Sequence, residues 1–315
     1  MLGHGRSMKN FAGFLVTLVF SSQLLAWGAT GHQIVAYVGA SLATEGLAFW
    51  QANADGMRQL STVPDRVWKS LPTSSTEKPN HFFQADAYVA DINSSELMSF
   101  PKSYADAVTK YGDKTVVVNG TAPWRIRQFY KLATAALQAN DASLALQYAG
   151  VMSHYIGDLS QPLHVSENFN GQLTGNSGIH SYFETTILKN ETQLRADVML
   201  RAKALLKDPA FLAQFNSDLS DTVLSETSRS IRFRDQILQT DTRLGRSAAG
   251  AAAQLELAKD RMADGAATMA IVLSHLWKDG GQNLNASPIA VMDPAWVAPV
   301  FASVRSTAED DDCEQ

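Results

Sequence analysis

Five histidines of this 315-residue chain stand at spacings that suit metal binding. His154 and Asp158 are four residues apart in a stretch of helical periodicity, so both side chains leave the same face one turn apart. His164 follows just past Pro162, where the chain must turn back. His180 and Glu184 repeat the four-residue spacing. Two helices that each offer a histidine and a carboxylate at i, i+4 can build a multi-metal site inside a bundle. Imidazole and carboxylate together suit zinc. One such pair is commonly coincidence, but two pairs bracketing a third histidine within 31 residues are hard to dismiss. Upstream, His32 follows Trp27-Gly-Ala-Thr-Gly, Asp65 follows Pro64, and His81 follows Pro79-Asn80. Each alone reads as a helix start or an ordinary loop residue. His275, in Ser274-His275-Leu276-Trp277, lies on an apolar helix and is expected in the core.

The elements that must position these residues read as helices. Gln33 to Ala54 mixes apolar and small residues at helical spacing, and Pro123 opens a helix over Trp124 to Ala139. Asp141 caps a helix running to about Leu159, which Pro162 stops. Ile179 to Leu206 reads as one long helix, and Ala248 to Trp277 as another, ended by Gly280 and Gly281. Ser61 to Pro79, with three prolines, and Asn168 to Gly178, rich in Gly and Asn, read as loops. No alternating pattern exceeds Val116-Val117-Val118, and there is no internal repeat. The expected fold is all-α, a single-domain helical bundle.

Composition narrows the function. The formal net charge is −5, with no broad cationic stripe of the kind that grips duplex DNA. The lone Cys313 sits in an acidic tail, so no internal disulfide can form. Arg6 and Lys9 precede the apolar run Phe11 to Phe20, and Ala26 supplies a small residue before Trp27. That pattern describes a signal peptide over residues 1–26, too short for a comfortable membrane span. Residues 27–300 would then form the functional domain and 301–315 a disordered acidic tail. Cleavage would remove His4 and two cations, taking the formal charge from −5 to −7, and would free the amino group of Trp27. A free α-amino group becomes a nitrogen ligand once a cation displaces its proton. The product would be secreted or periplasmic.

Nine positions in order resemble the zinc-dependent phospholipase C and single-strand-specific nuclease superfamily, whose nuclease branch is the secreted S-one/P-one type. They are Trp27-Gly-Ala-Thr-Gly-His32, Asp65, His81, His154-Tyr-Ile-Gly-Asp158-Leu-Ser-Gln-Pro-Leu-His164, and His180 with Glu184. The resemblance implies a trinuclear zinc cluster in a surface cleft. Asp65, His81, His154 and Asp158 would hold the first Zn²⁺ ion; His164, His180 and Glu184 the second. The amino group and carbonyl of Trp27, with His32, would hold the third, Asp158 bridging two ions. Asp65 and Asp158 would be the catalytic carboxylates, acting first as ligands. Zinc lowers the pKa of water to about 7, which supplies the nucleophile for a phosphodiester.

Substrate features divide between the branches. His32 close behind Trp27 resembles the nucleases; the 16 residues from His164 to His180, and Glu184 itself, look more like the phospholipases. Gln84 and Arg66 stand where each branch would carry its own recognition residue. Arg66 could bind a phosphate oxygen, and Phe82, Phe83 and Tyr155 could stack on a base. The reading is a nuclease or nucleotidase acting on single-stranded nucleic acid or nucleotides, with a phospholipid as the alternative substrate and no stable protein partner implied. An exported helical protein holding zinc without catalysis is the third reading, disfavoured because a three-ligand second site leaves room for water.

Overall fold

The computed structural model describes residues 27–216 and 218–281, together with 284, 285, 287–289, 296 and 299. The expected signal segment 1–26 and the tail 301–315 lie outside them. The long elements are α1 (Ala29–Leu42), α2 (Ala122–Gln138), α3 (Ala142–Ser160), α4 (Glu191–Leu205), α5 (Leu219–Ile231), α6 (Arg234–Leu244) and α7 (Ala248–Asp279). The described residues contain no strand, so the chain is all-α.

Local chemistry sets most boundaries. Asp141 accepts a hydrogen bond from Leu144 N at 2.9 Å, and Ser247 from Gly250 N at 3.2 Å, satisfying first-turn amides of α3 and α7. Pro123 occupies the first turn of α2, where no intrahelical donor is needed. Three expectations need correction. The helix expected from Gln33 to Ala54 breaks at Gly46, whose φ of +63° is left-handed, and resumes as the short turns Leu47–Ala52 and Ala54–Leu60. The helix expected from Ile179 to Leu206 is interrupted at Asn190, φ +54°, which caps α4 by accepting from Gln193 N. The loop expected from Ser61 to Pro79 is instead a string of short helical turns, Val63–Arg66, Trp68–Ser70, Ser74–Glu77 and Lys78–His81. Val116 to Val118 belongs to a helical turn, Asp113–Val118, because a short apolar run does not distinguish helix from strand.

α3 packs against α1, α2, α5 and α7, and so runs through the middle of the molecule. On its α2 side lies a core containing Ile126, Phe129, Met152 and Ile156; between α1, α4 and α7 lies a second, with Ile34, Val38, Val198 and Met262. Each such buried side chain contributes roughly 1.5–3 kcal/mol. Small residues let α7 approach closely: a Cβ on Gly265 would lie 2.6 Å from Ser160 Oγ, at the end of α3. No helix among the described residues is long and apolar enough to cross a membrane.

Between α5 and α7 two carboxylates share two arginines. Arg229 donates to Asp264 and to Glu226 Oε2, and Arg261 Nη2 donates to Asp264 Oδ2 at 2.6 Å. Burial, then the neighbouring Asp264 charge, pushes Glu226 from its ordinary 4.5 up to about 8. Burial alone would raise Asp264 as well, but Arg261 and Arg229 outweigh it and hold that carboxyl well below its usual range. The folded state therefore keeps an extra proton on Glu226 between about pH 4.5 and about 8, and this contribution to stability is lost as pH rises through that window. Glu226→Gln is expected to remove that slope. Melting temperatures of the two proteins across this range should diverge, the variant gaining on the parent as pH rises; a constant difference would refute the shift.

Candidate metal centre

The end of α3 is where the histidines converge. His154 and Asp158, one turn apart, are both fully buried, and Gln161-Pro162 then ends the helix. The turn closes through His164 N donating to Gln161 O at 2.9 Å, which swings His164 back toward the helix end. The 82–85 segment lies alongside, Phe83 N donating to His164 O at 3.0 Å and Ala85 N to Val165 O at 3.0 Å, and it carries His81 in. Gly178, φ +81°, starts the turn that bears His180. Glu184 follows on a single π-helical turn, Tyr182–Thr186, closed by Ile187 N donating to Tyr182 O at 3.2 Å. Such wide turns concentrate at functional sites.

His32 enters from α1. A Cβ on Gly157 would sit 3.0 Å from His32 Nδ1, so the glycine between His154 and Asp158 is what lets the ring lie against α3. There it stacks on His154 with ring centroids 3.8 Å apart. Trp27 is fully buried beside it, its indole donating to Ser160 Oγ at 3.1 Å.

Three groups of ligand atoms result: Asp65, His81 and His154; His32, His154 and Asp158; His164, His180 and Glu184. Asp65 Oδ1 is 3.5 Å from His81 Nδ1 and 3.6 Å from His154 Nε2. Asp158 Oδ2 lies 3.2 and 3.4 Å from the same two nitrogens. A tetrahedral zinc with bonds of ~2.0–2.1 Å would set its ligand atoms about 3.3–3.4 Å apart, close to these four separations. The other oxygen of Asp158 faces His32 Nε2 at 3.4 Å, which gives that carboxylate a bridging disposition. In the third group, Glu184 Oε2 is 3.4 Å from His164 Nε2 and 2.9 Å from His180 Nε2.

Backbone carbonyls fix most of the rings. His154 Nδ1 donates to Ser61 O at 2.7 Å, His164 Nδ1 to His81 O at 2.6 Å, and His180 Nδ1 to Phe169 O at 2.9 Å. Each bond places the proton on Nδ1 and turns the Nε2 lone pair inward. His154 Nε2 then meets His81 Nδ1 at 2.9 Å, a separation at which two lone pairs repel unless a cation or proton lies between them. Both carboxylate oxygens of Asp158, and Nε2 of His32, His164 and His180, are buried with no hydrogen-bond partner among the described residues. Leaving such groups unpaired would each cost on the order of 1–3 kcal/mol, which is a strong reason for a cation to complete them. The residues present fit zinc.

Electrostatics agree. Burial, followed by neighbouring cations and histidines, lowers the pKa of His32, His81, His154 and His164, keeping them in the neutral form that binds metal. Burial alone would lower His180, but Glu184 outweighs it and raises that ring, while His180 and His164 pull Glu184 down against its own burial. Burial and then the Asp65 charge push Asp158 well up, so in the metal-free protein its charged form is disfavoured and a cation would favour it.

The residues expected at a substrate surface fare differently. Arg66 is exposed on the turn that carries Asp65, and Phe82 is partly exposed beside His81. Phe83 is buried in the core. Tyr155 is fully buried against His81 and Phe129, and its hydroxyl donates to Glu77, so neither ring face is open to a base. His275 is half-buried on α7, away from the ligand groups. Two nearby charges went unnoticed in the sequence. Lys69 places its ammonium 2.5 Å from Asp65 Oδ1, and Glu77 sits behind His81. Lys69 is four residues beyond Asp65, the one signal that could have found it.

Among curated proteins, a probable serine protease of Bradyrhizobium tropiciagri is 25% identical over 193 residues, covering 44% of this chain and 25% of that protein. Among solved structures, the alpha-toxin of Clostridium perfringens from an avian strain is 17% identical, with a TM-score of 0.49 over 82% of this chain and 64% of that one. The alpha-toxin of Clostridium absonum is 17% identical, with a TM-score of 0.47 over 82% and 65%. The chain thus spans a quarter of the curated relative and just under two thirds of each toxin. The S1/P1 Nuclease family profile matches residues 27–278, a span that takes in every ligand position described above. Matched over most of its length, the chain belongs to the S1/P1 nuclease family.

Proposed function

We propose that this protein is an exported zinc-dependent phosphodiesterase of the single-strand type, hydrolysing single-stranded DNA and RNA and 3′-nucleotides. The observation that carries the reading is Asp158, whose two oxygens face two separate ligand groups, 3.4 Å from His32 on one side and 3.2 Å from His81 on the other. A purely structural zinc is closed by its own four ligands and needs no such bridge.

In this reading Asp65, His81, His154 and Asp158 hold one ion, His164, His180 and Glu184 a second, and His32 with the amino group and carbonyl of Trp27 a third. When bound, zinc lowers the pKa of water at an open position to about 7 and neutralises phosphate oxygens. The chain's own residues orient the substrate. The second group supplies three protein ligands and so would leave a fourth position for water. Arg66, exposed next to Asp65, is placed to pair with a phosphate oxygen, and Phe82 to lie against a base. Asp65 and Asp158 are the catalytic carboxylates of this reading, acting as metal ligands.

The test is hydrolysis of single-stranded DNA, RNA and phosphatidylcholine in parallel by zinc-loaded protein, with and without chelator. Cleavage of the nucleic acids alone, lost on chelation and restored by zinc, is the expected result. Release of phosphocholine alone would assign a phospholipid substrate instead. Zinc binding with no hydrolysis of any of the three would reduce the centre to a structural one.

A further inference from the structure

One ring of the centre is turned the other way. His154, His164 and His180 present Nε2 inward and anchor Nδ1 on a backbone carbonyl, whereas His81 presents Nδ1 inward, 3.2 Å from Asp158 and 3.5 Å from Asp65. Its Nε2 meets no carbonyl. It faces the Glu77 carboxylate, Oε1 lying 3.4 Å away, close but without hydrogen-bond geometry. Glu77 and His81 are four residues apart on consecutive helical turns, so the acid lies one turn behind the ring.

Glu77 is itself held from several sides. Tyr155 OH donates to Oε1, while Arg125 Nη2 and Asn80 Nδ2 each donate to Oε2 at 3.1 Å. Arg125, Tyr155 and Asn80 are all essentially inaccessible to solvent, and Glu77 is 4% exposed. Asn80 is fixed in turn by Thr121 Oγ1, which donates to its Oδ1 at 2.7 Å. Burying a carboxylate and a guanidinium costs several kcal/mol for each ion, offset here by their pairing and hydrogen bonds, and packing alone would be served as well by apolar side chains.

We propose that Glu77 is a positioning residue for the metal site formed by Asp65, His81, His154 and Asp158. It holds the proton of His81 on Nε2, aims Nδ1 at the ion and raises the basicity of the ring, with Tyr155, Arg125 and Asn80 locking its own geometry. This rests on the metal-centre reading above and adds to it a residue that touches neither metal nor substrate. A carboxylate behind a metal-bound imidazole typically contributes a factor of 10–100 in metal affinity.

The experiment is chelator competition on the zinc-loaded protein of residues 27–315 with a free amino terminus, read as zinc retained per chain, for the parent and for Glu77→Gln. One of the three zincs should leave Glu77→Gln at a chelator concentration about 10–100-fold lower than in the parent, with the other two unchanged. Retention identical to the parent, or equal weakening of all three, would overturn the assignment. Because Glu77→Gln leaves Arg125 facing a neutral partner and could fail to fold, a second measurement uses the parent alone. Long-range ¹⁵N–¹H correlation spectra of the loaded protein should show His81 protonated on Nε2, while His154, His164 and His180 are protonated on Nδ1. A His81 proton on Nδ1 would overturn the assignment and leave the metal centre standing. Failure of the parent to take up any zinc would overturn both.

Discussion

Asp158→Asn is expected to cut hydrolysis on the order of 10³-fold while making the metal-free protein more stable. The two effects have opposite signs for one reason. The carboxylate faces two ligand groups, with His32 Nε2 at 3.4 Å from one oxygen and His81 and His154 at 3.2 and 3.4 Å from the other, and in the proposed loaded protein it would serve both. An amide of the same shape keeps at most one weak oxygen ligand. The several kcal/mol of charge stabilisation that metal ions give a phosphoryl transition state correspond to about three decades in rate. Zinc per chain should fall from three toward one. Without metal the same carboxyl is buried near other acids, which raises its pKa, so its ionised form opposes folding. Asparagine removes that penalty, and the metal-free variant should melt a few degrees higher, since ~1 kcal/mol shifts Tm by about 2–4 °C at this size. Unchanged zinc content, or a metal-free variant that melts lower, would refute the bridging role.

A chain that retains residues ahead of Trp27 is expected to bind two zincs instead of three and to lose roughly 10²–10³-fold in activity, the usual effect of removing one transition-state charge stabiliser. Trp27 is fully buried, its indole bonded to Ser160 and its ring 5.6 Å from Phe183. Residue 27 is therefore fixed beside His32, whatever precedes it. Only a peptide nitrogen would be available there in the longer chain, and a peptide nitrogen does not ligate zinc as an amine does. The check is to express residues 27–315 with a free amino terminus beside the same protein with residues 1–26 retained, and to measure zinc and hydrolysis in both. Three zincs and full activity in the longer protein would remove Trp27 from the ligand set.

The parts of this centre differ in how openly the sequence displays them. His154, Asp158 and His164 could be read directly, because helical spacing and a proline fix where they point. Asp65 and His81 could be recognised only as members of an ordered pattern. The turns that carry them are each four residues long and are shaped by tertiary contacts, not by local propensity. Glu77 was invisible for a related reason. An acid in a Ser-, Thr- and Lys-rich stretch looks solvated, and it is buried only because Arg125, far along the chain, closes over it. Tyr155 shows the converse. Periodicity placed it correctly on α3, but which neighbour its hydroxyl would meet depended on Glu77. Asn190 did carry a local sign, since asparagine tolerates the left-handed conformation and favours the N-cap, but the apolar periodicity on either side of it outweighed that sign.

The carbonyls that anchor the histidines belong to Ser61, His81 and Phe169, and the rings they anchor lie on α3, the turn after it and the segment around His180. Occupied by zinc, the centre ties these separate stretches of backbone into one knot. Loss of zinc from the proposed centre would loosen these stretches together with the activity, so in the exported enzyme proposed above local order and turnover would both follow the free zinc of the surroundings.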